Sequence, residues 1–437
     1  MKRKIYTTKE EFLEQNEALQ TGLPFSEDTS VLAQPLQVGS HRIPNRLACQ
    51  AMEGCDGTAT GEPGELTMRR YGRFARGGAG LLWFEATAVL EEGRANPRQL
   101  YITPGNVDAF KSAVETIKEE GIKANGKEPV LIMQATHSGR YSKPTGMPAP
   151  LIAYNNPVLE GDTPLSQDRI VTDDYLDLVK EKLVEGARLA EQAGFDGVDI
   201  KCCHRYLNSE LLSAYHRPGR YGGSLENRTR LLREAVQGAL QSCGKDFLVS
   251  SRLNVYDGYP YPYGFGVGES GTDFDPTEPI WLLKQLQSYG VKLLNITMGN
   301  PYNNPHVNRP FVMGGYTPEE HPLSGVARML LGTAELKKAV PDLKILCSAL
   351  SYLGVAAPHV TAALIQEGSI DLAGFGRQTF AYPDFAKDIM QGGMQKDKLC
   401  ICCSKCTQVM RAGSTPGCVI RDKEVYGPLY QQYCGGK

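Results

Sequence analysis

The chain has no apolar run approaching the roughly 20 residues a helix needs to cross a bilayer, so no membrane span is expected. An export signal is missing too: Met1-Lys2-Arg3-Lys4 is basic, but Thr7-Thr8-Lys9-Glu10-Glu11 follows in place of an apolar segment. There is little net charge. A balance of −2 over 437 residues excludes a general electrostatic affinity for nucleic acid or an anionic membrane surface. The twelve cysteines are not spread like a disulfide framework. Five lie between Cys400 and Cys418, and most others sit in or beside apolar, strand-like runs. That clustering fits a reducing, cytoplasmic setting with a metal or cluster site better than it fits disulfides. Repeats and low-complexity segments are absent.

What is present can build a large core: 41% of the residues are hydrophobic, and an ordinary 22% are charged. The length allows one large barrel or two to three small domains. Residues 1–40 show no barrel pattern and read as a surface-packed extension. From Asn45 onward strand and helix signals alternate. Strands are expected around Leu47–Gln50, Gly80–Ala86, Val130–Gln134, Gly197–Ile200, Phe247–Arg252, Lys292–Thr297, Lys344–Ser348 and Ile370–Gly374. Helical patterns lie between them, among them Thr172–Ala193, Leu225–Cys243, Glu278–Tyr289, Val326–Ala339 and His359–Glu367. The alternation argues an α/β fold with a parallel sheet. Eight repeats, with the chemically active residues at strand C-terminal ends, favour a closed (β/α)8 TIM barrel over residues 41–395. A cysteine-cluster segment and tail then occupy 396–437. Two long loops, Tyr256–Pro276 and Gly299–Gly325, are candidate walls of a substrate pocket. The first carries Tyr256, Tyr259, Tyr261 and Tyr263, which suits a broad, flat ligand such as a polycyclic enone. An ordered, proline-stiffened surface loop explains the same residues slightly better.

The most informative stretch runs from Phe195 to Arg228. It opens as a strand, Gly197-Val198-Asp199-Ile200, and then Lys201, His204, Arg205 and Tyr206 crowd together. Cationic donors and a phenol where a strand ends are unusual as packing and normal where a barrel presents its active face. The run Lys201-Cys202-Cys203-His204-Arg205-Tyr206-Leu207, then Glu210-Leu211-Leu212-Ser213 and Tyr221-Gly222-Gly223-Ser224-Leu225-Glu226-Asn227-Arg228, resembles the old yellow enzyme family. The resemblance extends over roughly Asn45 to Cys418. It implies a TIM barrel with FMN at its mouth and reduction of electron-poor C=C bonds.

Carried over residue by residue, the resemblance implies that His204 and Lys201 hold the substrate carbonyl and that Tyr206 protonates the α carbon. Lys201 is a departure, because the family has His there. An ammonium makes a stronger, charge-assisted bond to a developing enolate, and burial should lower its pKa. In the competing reading Lys201 turns away to pair with Asp199 or Glu210, and Tyr206 only caps the strand end. The resemblance also implies flavin contacts from Gln50 and Ala51, through backbone and side chain, and from Ala86, whose small size admits the ring. Gln134 offers an amide donor and acceptor, and Arg252 offers a charge beside the ring edge that turns anionic on reduction. Gly376 and Arg377 would hold the phosphate, together with Ser348 and Ala349, which stand where the family has a glycine pair. His137 reads as structural.

The cysteine spacing C-x2-C-x2-C-x11-C, formed by Cys400, Cys403, Cys406 and Cys418, resembles the family's iron–sulfur branch, which includes 2,4-dienoyl-CoA reductases and trimethylamine dehydrogenase. It implies a 4Fe–4S cluster on those four thiolates, with Cys402 extra. A structural zinc site and an uncoordinated thiol cluster are the rival readings. That branch often continues into a second half of dinucleotide-binding folds, and no such half is read in this sequence. The expectation is therefore that electrons reach FMN directly from NAD(P)H or from a partner protein through the cluster. The substrate is expected to be a small-molecule alkene, and a homo-oligomer is compatible with the sequence. An amine or ether dehydrogenase exporting electrons through the cluster is the alternative enzyme. A bare electron carrier is a third reading, which the donors at 201–206 oppose.

Overall fold

The computed structural model describes residues 3–435. Eight strands, β1 (Leu47–Cys49), β2 (Leu81–Ala88), β3 (Val130–Thr136), β4 (Gly197–Ile200), β5 (Leu248–Asn254), β6 (Leu293–Thr297), β7 (Lys344–Cys347) and β8 (Leu372–Phe375), form a closed barrel. All pairings are parallel, and β8 closes the circle by pairing with both β7 and β1. Strands covered on both faces must be apolar almost throughout. β2 and β3 are buried along their whole length, which is why they read as continuous apolar runs. The expected barrel is present, with strand ends within a few residues of their expected places.

The helices α1 (Glu65–Arg76), α2 (Val107–Asn125), α3 (Asp173–Gln192), α4 (Arg230–Ser242), α5 (Thr277–Tyr289), α6 (Pro322–Ala339) and α7 (Ala357–Gln366) lie between successive strands. Their ends follow from local chemistry. α3 starts where the Thr172 side chain accepts the Tyr175 N–H, with Asp173 and Asp174 in the first turn. α2 stops at Gly126, in the left-handed region at φ 66°. The helix expected over Leu225–Cys243 is broken: a short turn, Leu225–Arg228, precedes α4. Two short helices, Arg377–Ala381 and Phe385–Met390, follow β8.

A hairpin, Leu36–Val38 with His41–Ile43, closes the N-terminal end of the barrel. Its Leu36, Val38 and Ile43 cluster with residues near the strand starts, among them Leu81, Leu248, Leu293 and Leu372. The hairpin turn crosses position 40, so Leu36–Val38 packs with the barrel rather than with the extension. The residues before it are not loose. Tyr6 and Phe12 are buried, Tyr6 packs edge-on against Tyr352, and its carbonyl accepts the Val355 N–H at 3.0 Å. Gly354 is left-handed, and a Cβ there would lie 2.0 Å from the Tyr6 carbonyl oxygen. The N-terminal extension therefore braces the loop that follows β7.

Polar side chains tie the strand ends together inside the barrel. Asp199 Oδ2 accepts from Trp83 Nε1 at 2.7 Å and from Gln134 Nε2 at 2.6 Å. Its Oδ1 accepts the Arg252 backbone N–H at 2.6 Å. Buried polar groups matched in this way hold a specific geometry.

Candidate active site

A cavity of about 1260 Å³ opens at the C-terminal ends of the strands. Gln50, Ala51, Ala86, Gln134, Lys201, His204, Tyr206, Arg252, Ser348, Ala349, Gly376 and Arg377 all line it. The structure thus brings together every residue expected for catalysis and flavin binding. Arg205, from the same cluster, does not line it. It turns into the core, where its guanidinium pairs with Asp257 at 3.0 Å.

The loop after β4 turns sharply because His204 and Arg205 both take left-handed conformations, at φ 64° and 59°. Two such residues in succession are costly without glycine, and here they aim consecutive side chains in different directions. The Lys201 ammonium sits 3.7 Å from the centroid of the Tyr206 ring. The two acids that might have drawn it away are otherwise engaged. Asp199 is committed to the barrel interior, and Glu210 is paired with Arg140. Burial lowers the Lys201 pKa, and Arg252 works in the same direction. Burial, Arg252 and Lys201 also hold the His204 pKa well below the ordinary imidazole range, so the ring is neutral. Among the described residues its Nε2 has no hydrogen-bond partner. Burial holds the Tyr206 pKa well above 10, with Tyr302 and Glu53 adding to it, so the phenol keeps its proton.

Two flavin expectations need adjusting. The Gln50 amide nitrogen donates to Asn295 Oδ1, the Cys347 carbonyl and Ser348 Oγ, each at 3.0 Å, and its oxygen accepts from Asn295 Nδ2 at 2.7 Å. That side chain is committed to the barrel interior, which leaves its backbone for a ligand. The Gln134 amide likewise donates to Asp199, which turns its oxygen to other use. Ala349 takes the left-handed conformation at φ 71°, so an alanine supplies the backbone shape for which the family uses glycine. β2 bulges between Phe84 and Ala86, re-aiming the strand where Ala86 meets the cavity. His137 lies outside the cavity, with Nε2 2.9 Å from the Tyr175 hydroxyl and Nδ1 accepting the Gly139 N–H.

The cavity also holds residues the sequence reading did not single out. Arg309, from the loop after β6, faces it near Arg377, and its Nη1 donates to Ser404 Oγ at 3.1 Å. Burial and Arg377 both depress its pKa. Arg377 Nη2 donates to Thr407 Oγ1 at 3.3 Å. Among the described residues, neither Arg252, Arg309 nor Arg377 pairs with a carboxylate. Three guanidiniums with no acid are a donor set for an anionic ligand. A phosphate-bearing flavin meets that demand, so the residues present fit FMN. Glu53 and Tyr302 line the same cavity, and Tyr141 stacks on Tyr302 at 3.7 Å. Of the two long loops, Gly299–Gly325 contributes walls (Pro301, Tyr302, Asn308, Arg309, Pro310 and Phe311), whereas no residue of Tyr256–Pro276 reaches the cavity. Tyr259 instead accepts from Asn300 at 3.0 Å, and Tyr261 packs on Tyr215.

Cys400, Cys403, Cys406 and Cys418 line a second, smaller cavity of about 370 Å³, bordered by Arg377 and Phe380. Cys418 Sγ accepts the Arg421 N–H at 3.3 Å. Cys402 belongs to the other cavity. It is left-handed at φ 51°, and its carbonyl accepts the Val312 N–H at 3.1 Å. Among the described residues, no three His, Cys, Asp or Glu side chains converge as ligands of one metal ion.

Residues 31–266 match the NADH:flavin oxidoreductase / NADH oxidase family. The chain belongs to that family. It is 26% identical to a metal reductase of Desulforamulus reducens over 86% of this chain and 51% of that protein. It is 27% identical to a cinnamate reductase of Clostridium sporogenes over 91% of this chain and 59% of that protein. The chain thus spans little more than half the length of these curated relatives. Among solved structures, a 2-naphthoyl-CoA reductase complex superposes with a TM-score of 0.74 at 20% identity, over 92% of this chain and 58% of that one. An old yellow enzyme homologue from Zymomonas mobilis superposes with a TM-score of 0.63 at 22% identity, over 92% and 99%. The described residues carry the barrel fold of these old yellow enzyme relatives. No helix among the described residues is long and apolar enough to cross a membrane.

Proposed function

We propose that this oxidoreductase is an FMN-dependent ene-reductase that reduces an activated C=C bond of enone, enoate or dienoyl type. The observation that carries the reading is that Lys201, a neutral His204 and a protonated Tyr206 face one cavity together with the acid-free Arg252 and Arg377. Arg377, Gly376, Ser348 and Ala349 would hold the FMN phosphate. Arg252, Gln134, Ala86, Ala51 and the Gln50 backbone would hold the ring. FMN held there would supply the hydride, with NAD(P)H or a partner protein as the source of its electrons. Lys201 and His204 donate to the carbonyl oxygen and stabilise the enolate charge that builds there. The depressed Lys201 pKa makes its ammonium a better proton sharer with that oxygen than an ordinary lysine. Tyr206 keeps its proton until the α carbon becomes basic enough to take it. Replacing Tyr206 by Phe slows reoxidation by the alkene by about 10²–10⁴-fold, the usual worth of a positioned general acid, and leaves FMN reduction by NAD(P)H intact. Unchanged alkene turnover removes Tyr206 from the mechanism. Stoichiometric reduction of bound FMN by an amine, without NAD(P)H, replaces the whole reading by an amine dehydrogenase.

The four thiols around the smaller cavity support a 4Fe–4S cluster on Cys400, Cys403, Cys406 and Cys418. A cubane spreads its thiolates around a body instead of converging them on a point, and their spacing along the chain suits that. Anaerobic protein then carries about four iron per chain. Cys402→Ala keeps the iron and Cys403→Ala loses it, whereas zinc in its place contradicts the assignment.

A further inference from the structure

We infer that Glu53 is the proton source behind Tyr206, a relay residue that passes its carboxyl proton to the phenol as the phenol protonates the alkene. The inference rests on the ene-reductase reading and adds a residue to it. Glu53 lies just beyond β1 and lines the same cavity as Tyr206. Its Oε2 is 3.4 Å from the Tyr206 hydroxyl. Asn96 Nδ2 donates to its other oxygen at 2.9 Å, which fixes the carboxyl with one oxygen toward the phenol. The separation is long for a working hydrogen bond, as is common before substrate tightens a site.

The need for a relay follows from the phenol's surroundings. Burial disfavours a Tyr206 phenolate strongly, so donating its proton alone would leave an unstable anion in the pocket. Among the described residues, two groups touch the hydroxyl, Glu53 and Tyr302. Tyr302 is 3.1 Å away, but burial raises its own pKa as well. It can orient the proton but cannot supply one. A carboxyl is more acidic than a phenol by about six pKa units. Burial raises the Glu53 pKa above the usual carboxylate range, while Lys201 and Tyr206 pull it back. That combination favours a proton held at rest and a carboxylate tolerated once the proton has left. The other groups facing Glu53 are Cys55 and Asn96.

The step balances. As the alkene α carbon forms its new C–H bond, the Tyr206 O–H bond breaks. The electron pair left on the phenol oxygen takes the Glu53 proton, and the Glu53 O–H pair stays on the carboxylate beside Lys201. Water at the cavity mouth then returns a proton to Glu53. No oxidant or reductant is required beyond the hydride and alkene of the proposed reaction.

The test is stopped-flow reoxidation of prereduced holoenzyme by 2-cyclohexen-1-one, a cinnamate and a dienoyl thioester, in mixtures of H2O and D2O. The parent shows a bowed proton inventory, because two protons move in one step. Glu53→Gln keeps its FMN and is reduced by NAD(P)H at the parent rate. Its reoxidation slows by about 10²-fold, the low end for a positioned acid, and its inventory becomes linear. Glu53→Asp retains an acid and gives an intermediate rate with a bowed inventory. Reoxidation of Glu53→Gln at the parent rate overturns the relay. So does a slower reoxidation whose inventory stays bowed, since that marks a role in packing. If none of the three alkenes reoxidises the parent, the ene-reductase reading fails and the relay fails with it.

Discussion

Buried arginines fall into two groups in this molecule. Away from the barrel mouth each is matched from within. Arg70 pairs with Asp56 and Glu85, Arg205 with Asp257, Arg217 with Asp173 and Arg228 with Glu278. Arg94 is satisfied by the carbonyls of Ala59, Pro97 and Gln99. At the mouth, among the described residues, buried Arg252 has only the Ala51 carbonyl at 3.4 Å, and half-buried Arg309 and Arg377 reach only hydroxyls. Removing a guanidinium from water is costly unless an acid compensates. The first group is matched by the fold itself. The second is complete only when an anion arrives, and in this family's barrel FMN is the anion to expect.

The comparison can be broken most forcefully in the matched group. Arg205→Met leaves Asp257 buried without its counter-charge and should lower stability by about 3–5 kcal/mol, read as a shifted midpoint in urea denaturation. Burial already raises the Asp257 pKa against the pull of Arg205, so the variant's carboxyl will take a proton at higher pH. In the unmatched group the same change has the opposite consequence. Arg377→Met removes a like-charged neighbour of Arg309, and apo protein carrying it should be as stable as the parent or slightly more so. A loss comparable to that of Arg205→Met would mean that Arg377 is already compensated.

A buried base away from both groups calibrates the cost of burial alone. His137 sits between Tyr175 and Gly139, and burial lowers its pKa to about 4. Between that value and the ordinary pKa of about 6.5 the unfolded chain binds a proton that the folded protein refuses. Stability should therefore fall as pH drops through this window, by at most about 1.4 kcal/mol per pH unit. The difference between the parent and His137→Gln isolates that slope. Equal pH dependence in both proteins would show that His137 is solvated.

How far the sequence could be read depended on whether structure was carried by periodicity. The barrel strands are double-covered and continuously apolar, so β2 and β3 stood out. The residues expected at strand ends meet at one mouth because a parallel barrel places all strand C-termini on one face. Loop walls have no such rule. By composition Tyr256–Tyr263 suited a pocket wall or, slightly better, an ordered surface loop, and it is the second: Tyr259 accepts from Asn300 and Tyr261 packs on Tyr215. Arg309, Tyr302 and Glu53 reach the cavity because their loops fold back over it, which no hydrophobic period records. The commitment of the Gln50 amide to Asn295 and Ser348 was likewise invisible, because its partners lie more than 240 residues away.

The claim that the mouth's unmatched arginines await a flavin phosphate is tested most directly by comparing FMN with riboflavin. Apo protein, parent and Arg377→Met, is titrated with each by fluorescence quenching. The parent should bind FMN far more tightly than riboflavin. Arg377→Met should lose about 10–100-fold in FMN affinity, the worth of a charge-assisted phosphate contact of roughly 1.5–3 kcal/mol, with riboflavin affinity unchanged. Equal losses for both ligands, or none for either, would contradict it.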